Sequence, residues 1–241
     1  MNDETKLSDY PKLHCPFVRK KYPISKEHFK KYGKKLGLRK PNVYLATNEI
    51  DPHYAWVFED LDTFATEKLD GTSCKVHLTD GKIDIFQNRA NVIDHTQIYT
   101  GKTFLLEGLI HGANLGYLEK NGEQAGEILG PKLQSNPYKL PYHVFYPFEK
   151  AISSLRYTSF QKYDKTYENL SSWFHNNLHS RFYQKWHKVG LAESPMAEGV
   201  VFYNLKRGEE NKSWRAKLRR NMFGWYYEDH GIEIDYNNPL E

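Results

Sequence analysis

Two short runs of alternating apolar and polar residues predict a β-hairpin near the first third of the chain. The runs CKVHL and KIDIF flank the turn TDG, which places Asp80 and Gly81 at the hairpin tip. Four later runs also have the character of strands: EQAGEILG, YHVFYPFE, GVVFYNL and SWRAKLR. The pattern therefore predicts antiparallel sheets.

Other parts of the chain repeat apolar residues at helical spacing. A short helix is expected over 26–36, ending near Gly37. The run TFLLEGLIHGANLGYL is predicted to be a second helix, although its glycines oppose that state. A third helical stretch is expected over 165–188. Its apolar positions recur every four residues and form one stripe, which we interpret as core: Leu170, Phe174, Leu178, Phe182 and Trp186. Helices and antiparallel strands together define an α+β chain.

The run SWRAKLR has a period of two. Trp214, Ala216 and Leu218 are expected on one face of a strand, whereas Arg215, Lys217 and Arg219 fall on the other. Like charges that project together repel one another, so an anion is expected opposite them. A solvated edge strand is the alternative interpretation.

Length and composition limit the class of protein. The 241 residues allow one sizeable domain or two small ones, and we expect a single domain over 1–241 with no separate C-terminal domain. No apolar run is long enough to cross a membrane, and the N-terminus lacks the layout of a secretion signal. The two cysteines, Cys15 and Cys74, predict neither a disulfide framework nor a zinc module. We therefore expect an intracellular, reducing location and a monomer.

The formal charge of +4 is modest, but it is unevenly distributed. The segment from Lys12 to Lys40 contains many lysines and arginines and only one carboxylate, that of Glu27. Such a segment can bind the phosphates of a nucleic acid. It can equally be a solvated basic face.

The stretch TEKLDGTSCKV, residues 66–76, offers the main candidate for chemistry. An Asp-Gly pair is a common surface turn, but it also follows a lysine here. Four further stretches carry charges in a fixed order after Lys68: FQNRAN with Arg89, AGEILG with Glu127, AEGVVF with Glu198, and WRAKLRR with Lys217 and Arg219. Each stretch alone could be ordinary surface.

Taken in this order, the motifs resemble those of the covalent nucleotidyltransferase superfamily, which includes ATP-dependent RNA and DNA ligases and mRNA-capping guanylyltransferases. Its lysine motif, K-x-(D/H)-G, is Lys68-Leu69-Asp70-Gly71 here. The glutamate motif GEILGPKLQ at 126–134, followed by VFYPFE, is most similar to that of the RNA ligases that seal nicks in RNA duplexes. The upstream run PKLHCPFVR is similar to the opening segment of that branch.

This resemblance implies a fold and an activity. The implied fold is the α+β nucleotidyltransferase domain, an ATP-grasp-like ligase adenylation domain in which two antiparallel sheets flanked by helices hold a nucleotide groove between them. The implied activity is that of an ATP-dependent RNA ligase using Mg²⁺ or Mn²⁺. Its partner would be RNA with 5′-phosphate and 3′-hydroxyl ends, as in a nicked duplex.

The resemblance also implies roles for single residues. Lys68 would attack the α-phosphorus of ATP and become adenylylated. The other implied positions surround the nucleotide: Glu67 beside the adenine, Asp70 and Gly71 in the lysine motif, Arg89 on the ribose or the incoming phosphate, Glu127 on the ribose hydroxyls, Phe148 stacked on the base, Glu198 on a divalent metal, and Lys217 and Arg219 on the phosphates.

Elementary chemistry agrees with these roles. A lysine is nucleophilic only when neutral, and cations nearby favour the neutral amine. Cations such as Lys217 also stabilise the charge on the phosphoryl oxygens. Glutamate oxygens suit Mg²⁺ better than they suit a soft metal. Gly71 is expected to allow a tight backbone turn.

Some positions differ from the motifs of these ligases, one motif has a second candidate residue, and other functions are possible interpretations. The lysine motif continues with Thr72-Ser73 where these ligases often have Thr-Asn, and Arg219 stands where some relatives carry lysine. Glu107, in FLLEGLIHG, mimics the glutamate motif, but Glu127 is preferred because GP-x-L-Q follows it. The alternative functions are a DNA ligase, a GTP-using capping enzyme, and a nucleic-acid-binding relative that has lost catalysis.

Overall fold

The protein combines short helices with antiparallel strands. A computed structural model describes residues 6–94, 101–118, 120–162, 164–207 and 214–240. The strands are β1 (Phe17–Pro23), β2 (Asn42–Ile50), β3 (Phe64–Glu67), β4 (Thr72–Thr79), β5 (Lys82–Asn88), β6 (Asn91–Val92), β7 (Gly122–Leu129), β8 (Val144–Pro147), β9 (Gly199–Tyr203) and β10 (Arg215–Arg219). The α-helices are α1 (Lys26–Tyr32), α2 (Trp56–Glu59), α3 (Thr103–Asn114), α4 (Phe148–Ser154), α5 (Tyr167–Asn176), α6 (Arg181–His187) and α7 (Trp225–Glu228).

The strands form three sheets among the described residues, where the family resemblance implied two. Their orders are β1-β2, β10-β9-β3 and β6-β5-β4-β7-β8, and every neighbouring pair is antiparallel. The extra sheet is the β1-β2 pair. Its first strand reads FVRKKYP, in which three adjacent cations interrupt the apolar alternation that marks a strand. The expected antiparallel α+β architecture is confirmed.

The predicted hairpin is present as β4 and β5. Asp80 and Gly81 link the two strands, with φ values of 48° and 75°. Two successive left-handed residues are typical of the type I′ turn, whose twist matches that of the paired strands. The strand predicted over SWRAKLR begins at Arg215, and Ser213 lies outside the described residues.

The predicted helices differ from the observed ones in length. Helix α1 starts after Ser25, whose side-chain oxygen accepts a hydrogen bond from the backbone N–H of His28 at 3.1 Å. The regular helix ends at Tyr32, earlier than predicted, and Gly37 follows with a left-handed φ of 67°. Helix α3 confirms a helix in TFLLEGLIHGANLGYL, but it ends at Asn114, before the last four residues of that run.

The chain divides into two compact units. Unit 1 comprises 1–12, 69–156 and 181–195, and unit 2 comprises 13–68, 157–180 and 196–241. The five-stranded sheet belongs to unit 1, whereas the other two sheets belong to unit 2. The expectation that residues 1–241 act as one adenylation domain stays a prediction.

The predicted helix over 165–188 is two helices, one in each unit. Leu170, Phe174 and Leu178 pack in the core of unit 2, with Trp173 and Phe223 among their neighbours. Phe182 instead lies in a core cluster of unit 1, against which Trp186 packs. The interpretation of the stripe as core is confirmed, but the chain leaves the helical state between α5 and α6. The regular spacing of four hides this break.

No helix in the described part of the chain combines the length and the apolar character needed to span a bilayer. Cys15 and Cys74 are buried and free of disulfide bonds.

Candidate functional site

Lys68 follows β3 at one end of the three-stranded sheet of unit 2. Its backbone N–H donates to the Gly199 carbonyl oxygen at 2.9 Å, which extends the pairing of β3 with β9 by one residue. Glu198 directly precedes β9, and Arg219 pairs with Gly199 at the end of β10. Antiparallel pairing therefore brings residues distant in sequence to the same sheet end.

The Glu198 carboxylate lies between two cations. Its Oε2 accepts a hydrogen bond from the Lys68 amine, and its Oε1 lies 3.6 Å from Nη1 of Arg219. The three side chains are 21–32% exposed, so the ion pairs are partly shielded from water. The sequence motifs predicted cations beside Lys68, but they did not predict that Lys68 pairs directly with Glu198.

Lys217 lies beside this group without being one of its ion-pair members. Burial and the positive charges of Arg219 and Lys68 lower the pKa of Lys217 to about 8, and Arg19 adds to that effect. The Glu198 carboxylate opposes it. Four cations thus act around one carboxylate, and an additional anion would stabilise the group.

Arg219 supplies a second indication that an anion belongs here. Its Nε atom is buried and has no hydrogen-bond partner among the described residues. A buried donor without a partner is costly, and such groups call for a ligand, ion or water. Because guanidinium donors match phosphate oxygens well, the group fits a phosphate ester.

The predicted strand faces of β10 are confirmed. Ala216 and Leu218 are fully buried, whereas the alternate cationic positions are partly exposed. Arg215 pairs with Tyr203, at the end of the sheet opposite to Arg219. Two of the three cations therefore lie near Lys68, and the third does not.

A divalent metal could be held here only with help from a ligand. The described residues contain no group of three or more His, Cys, Asp or Glu side chains placed to bind a metal. Mg²⁺ commonly takes one or two carboxylates and completes its shell with water and substrate phosphates. Glu198 fits that mode of binding, in which the metal would neutralise phosphate charge.

Glu67, the last residue of β3, is only 2% exposed. Its Oε1 accepts a hydrogen bond from the Ser180 hydroxyl at 2.6 Å. The predicted role of Glu67 beside an adenine stays a prediction. No sequence pattern predicted the contact between Ser180 and Glu67.

The other predicted residues belong to unit 1, where strand pairing places two of them, Arg89 and Glu127, on either side of Ser73. Ser73 of β4 pairs with Glu127 of β7, and Glu127 pairs with Tyr146 of β8. On the other side of β4, the Ser73 carbonyl oxygen accepts the backbone N–H of Arg89 at 3.2 Å. Asp70, just before β4, donates its backbone N–H to the Tyr138 hydroxyl at 2.9 Å.

Gly71 is required for a reason other than the predicted tight turn. It is absent from the residues with left-handed φ, so its backbone does not need glycine. A Cβ atom at Gly71 would instead collide with the Ile128 carbonyl oxygen and lie 2.7 Å from Leu129 Cδ2. The close approach of β7 excludes a side chain at this position.

Arg89 and Phe148 occupy chain positions that expose part of each side chain. Arg89 is exposed at the turn between β5 and β6 and has a φ of 52°, an uncommon conformation for a residue with a side chain. Phe148 is half-buried at the start of α4, and its ring lies 4.8 Å from that of Tyr10. No pattern in the sequence indicates the Tyr10 contact.

Glu107, the alternative candidate for the glutamate motif, contacts a histidine with both carboxylate oxygens. One carboxylate oxygen accepts the backbone N–H of His143 at 3.0 Å, and the other lies 2.8 Å from Nδ1 of the same residue. The His143 Nε2 accepts the Lys132 N–H at 3.1 Å. Glu107 therefore holds the segment that follows β7, a structural task that explains its position without a nucleotide.

We expect Glu107→Gln to destabilise the protein in a pH-dependent manner. Burial raises the pKa of Glu107, but the hydrogen bonds from the His143 backbone and ring outweigh it, so the pKa falls below 4.5. The stabilisation is thus present above pH 4.5 and lost as pH falls through the lower folded pKa. Because the carboxylate is partly exposed, the expected cost at neutral pH is about 0.5–1 kcal/mol.

Urea unfolding of both proteins at neutral and at acidic pH measures this difference. Glu123→Gln, at a more exposed carboxylate of the same unit, is the control and should change stability less. An equal loss at every pH would contradict the assigned charge effect.

Comparison with known proteins gives neither a family nor a curated relative, since no protein-family model and no curated protein matches the sequence. Solved structures of Naegleria gruberi RNA ligase are similar. A mutant with ATP and Mn is 20% identical with a TM-score of 0.37, and the match covers 70% of this chain and 52% of that one. The same ligase with PPi is 21% identical with a TM-score of 0.35, covering 73% and 55%.

A further mutant of that ligase, with AMP and Mn, is 21% identical, and the TM-score is 0.33. The chain spans about half the length of these structures. Likeness at this level supports no inference about activity. The function is therefore inferred from the residues of this chain.

Proposed function

We propose that this protein is an ATP-dependent RNA ligase that forms a covalent lysyl-AMP on Lys68. The observation that carries the proposal is the group at the sheet end of unit 2, where Lys68 and Arg219 share Glu198 and Lys217 lies beside them. The buried Nε of Arg219 and the excess of cations fit a phosphate better than they fit a neutral ligand.

The proposed first step joins Lys68 to the nucleotide. The neutral Nζ attacks the α-phosphorus of ATP, a P–N bond forms, and the bond to the bridging oxygen breaks to release pyrophosphate. The amine loses its protons to solvent. Lys217 and Arg219 stabilise the charge on the phosphoryl oxygens, which is the main task of a protein in phosphoryl transfer. A divalent cation bound with the phosphates would neutralise further charge.

Glu198 has two functions in this proposal. In the free protein it orients the Lys68 amine and one Arg219 nitrogen through its two oxygens. If a divalent metal were bound, Glu198 would be its carboxylate ligand, and the metal would supply positive charge beside the phosphates. Glu67, Asp70, Arg89, Glu127 and Phe148 have the nucleotide-binding roles that the family resemblance implies.

The later steps use the RNA ends. A 5′-phosphate oxygen of RNA attacks the phosphorus of lysyl-AMP and frees the lysine. The 3′-hydroxyl of the adjoining strand then attacks the activated phosphate, forms the phosphodiester and expels AMP. The preference for RNA rests on GEILGPKLQ and on its resemblance to nick-sealing RNA ligases.

Labelled nucleotides test the proposal. The protein is incubated with Mg²⁺ and ATP or GTP labelled in the α-phosphate, then separated under denaturing conditions. We expect label on the protein from ATP and its transfer to a 5′-phosphorylated nicked RNA duplex. Label from GTP would indicate a capping enzyme, sealing of DNA alone a DNA ligase, and no label at all a binding protein without catalysis.

A further inference from the structure

The β1-β2 sheet of unit 2 has one apolar and one polar side. Val43 and Leu45 are 2% exposed and pack in a core cluster with Tyr227 and Ile232. Because side chains alternate along a strand, Tyr44 points to the opposite side, where it is 50% exposed. A half-exposed tyrosine alone is ordinary surface.

Two cations accompany this ring. Lys21 pairs directly with Tyr44, and Arg19 lies two residues earlier on the same side of β1. The Arg19 guanidinium lies 5.6 Å and the Lys21 ammonium 5.9 Å from the Tyr44 ring centroid. We call these three residues the Tyr44 face. An exposed aromatic ring flanked by cations is the arrangement by which proteins hold unpaired nucleotides.

The Tyr44 face is linked through His14 and Arg19 to the Lys68 group, by which we mean Lys68, Glu198, Lys217 and Arg219 of the same unit. His14 forms a bridge to Ala216, and its carbonyl oxygen accepts the Lys217 N–H at 2.8 Å. Strand β1 begins three residues after His14, so it runs from the side of Lys217 towards Tyr44. Arg19 is close enough to Lys217 to contribute to its lowered pKa.

The surrounding chain is basic as well. Most cations of residues 13–40 are exposed, and those exposed side chains join no ion pair within the described residues; Lys21 is half-buried and is not counted among them. A partner of this surface therefore meets an excess of positive charge. An acidic protein could meet the charge too, but an unpaired nucleic acid supplies both a planar base for Tyr44 and regularly spaced phosphates for the cations.

We propose that the Tyr44 face binds an unpaired segment of the nucleic acid substrate. A base stacks on the Tyr44 ring, while Arg19 and Lys21 leave the ring and contact the phosphates on either side. Stacking of a base is stronger than an exposed cation–π contact, so the exchange is favourable. The proposal rests on the proposed function, and it adds a binding site for unpaired nucleotides that lie beyond the paired end to be joined.

Binding of a labelled, 5′-phosphorylated single-stranded RNA, followed by fluorescence anisotropy, tests the proposal. We expect Tyr44→Ala to weaken binding roughly tenfold and Tyr44→Phe to bind as the wild type does. Replacing both Arg19 and Lys21 by Gln should weaken the salt dependence, so that the negative slope of log K against log salt becomes shallower by roughly 1–2. Tyr236→Ala is the matched control, since Tyr236 is 48% exposed in the same unit, and it should bind normally.

Two further measurements on Tyr44→Ala, of adenylylation and of duplex binding, separate this proposal from the proposed ligase activity. Tyr44→Ala should still form the covalent nucleotide, because Tyr44 lies outside the Lys68 group. A fully paired RNA duplex should bind no more weakly to Tyr44→Ala than to wild type. If Tyr44→Ala is adenylylated like the wild type and also binds RNA like the wild type, the inference about the Tyr44 face is overturned, but the proposed ligase activity is not. Tyr44-dependent RNA binding without any adenylylation would overturn the ligase and leave the binding face standing.

Discussion

Replacing Lys68 by arginine is expected to abolish the covalent nucleotide, lowering its formation by roughly 10³-fold or more. Arginine keeps the positive charge and can keep the ion pair with Glu198, so the fold should remain intact. Its guanidinium does not lose a proton in proteins and therefore offers no nucleophilic nitrogen. The variant thus separates the chemistry of Lys68 from its charge. Label retention measures the former and urea unfolding the latter.

Lys75→Arg is the matched control for this variant. Lys75 is buried, and like Lys68 it lies near a glutamate, with its amine 3.5 Å from Glu123 Oε2. It belongs to β4 of unit 1 and has no proposed role in catalysis. We expect Lys75→Arg to accept label normally. Equal labelling of Lys68→Arg and wild type would place the nucleophile elsewhere.

Replacing Lys217 by methionine is expected to lower activity and raise stability. Loss of one preorganised cation on the phosphoryl oxygens should slow nucleotide transfer by about 10²–10³-fold. The folded protein, however, holds Lys217 at a pKa of about 8 because of burial and of the charges of Arg219 and Lys68. Removing that charge removes an unfavourable interaction from the folded state, so the free energy of unfolding should rise.

The stability gain has a defined pH dependence. The folded pKa of about 8 lies below the unfolded value of 10.5. Below pH 8 the lysine is charged in both states, and the folded state bears the full unfavourable interaction. As pH rises from 8 to 10.5 the folded wild type releases its proton first and regains stability, so the gain of the variant shrinks. Full conversion of the shift gives about 3 kcal/mol. Because Lys217 is only half-buried, we expect about 1 kcal/mol below pH 8.

Urea unfolding between pH 7 and pH 10, as a difference between variant and wild type, measures this dependence. Arg215→Met is the control, because Arg215 lies on the same side of β10 but at the opposite end of the sheet. It should leave both nucleotide transfer and the pH dependence largely unchanged. A Lys217→Met protein that is less stable than wild type at pH 7 would contradict the assigned electrostatics.

Local patterns in the sequence predicted much of the local structure. The alternation of CKVHL and KIDIF around an Asp-Gly pair determines the β4-β5 hairpin. The period of two in WRAKLRR predicted which side chains of β10 are buried. These features depend on neighbouring residues only, so a sequence contains all that is needed to recognise them.

Other features depend on contacts between distant residues, and the sequence did not predict them. The pairing of Lys68 with Glu198 follows from the register of β3, β9 and β10, over a separation of 130 residues. Gly71 is fixed by the approach of Ile128 rather than by its own backbone. The apolar stripe over 165–188 has uniform spacing although its residues enter two cores.

Peptide mapping by mass spectrometry, after incubation of the wild-type protein with ATP and Mg²⁺, locates the residue that carries the nucleotide. We expect one added AMP group, joined through an acid-labile P–N bond to the peptide that contains Lys68. An AMP group on Lys75, Lys217 or any other residue, or an unmodified protein under conditions in which it binds ATP, would contradict it.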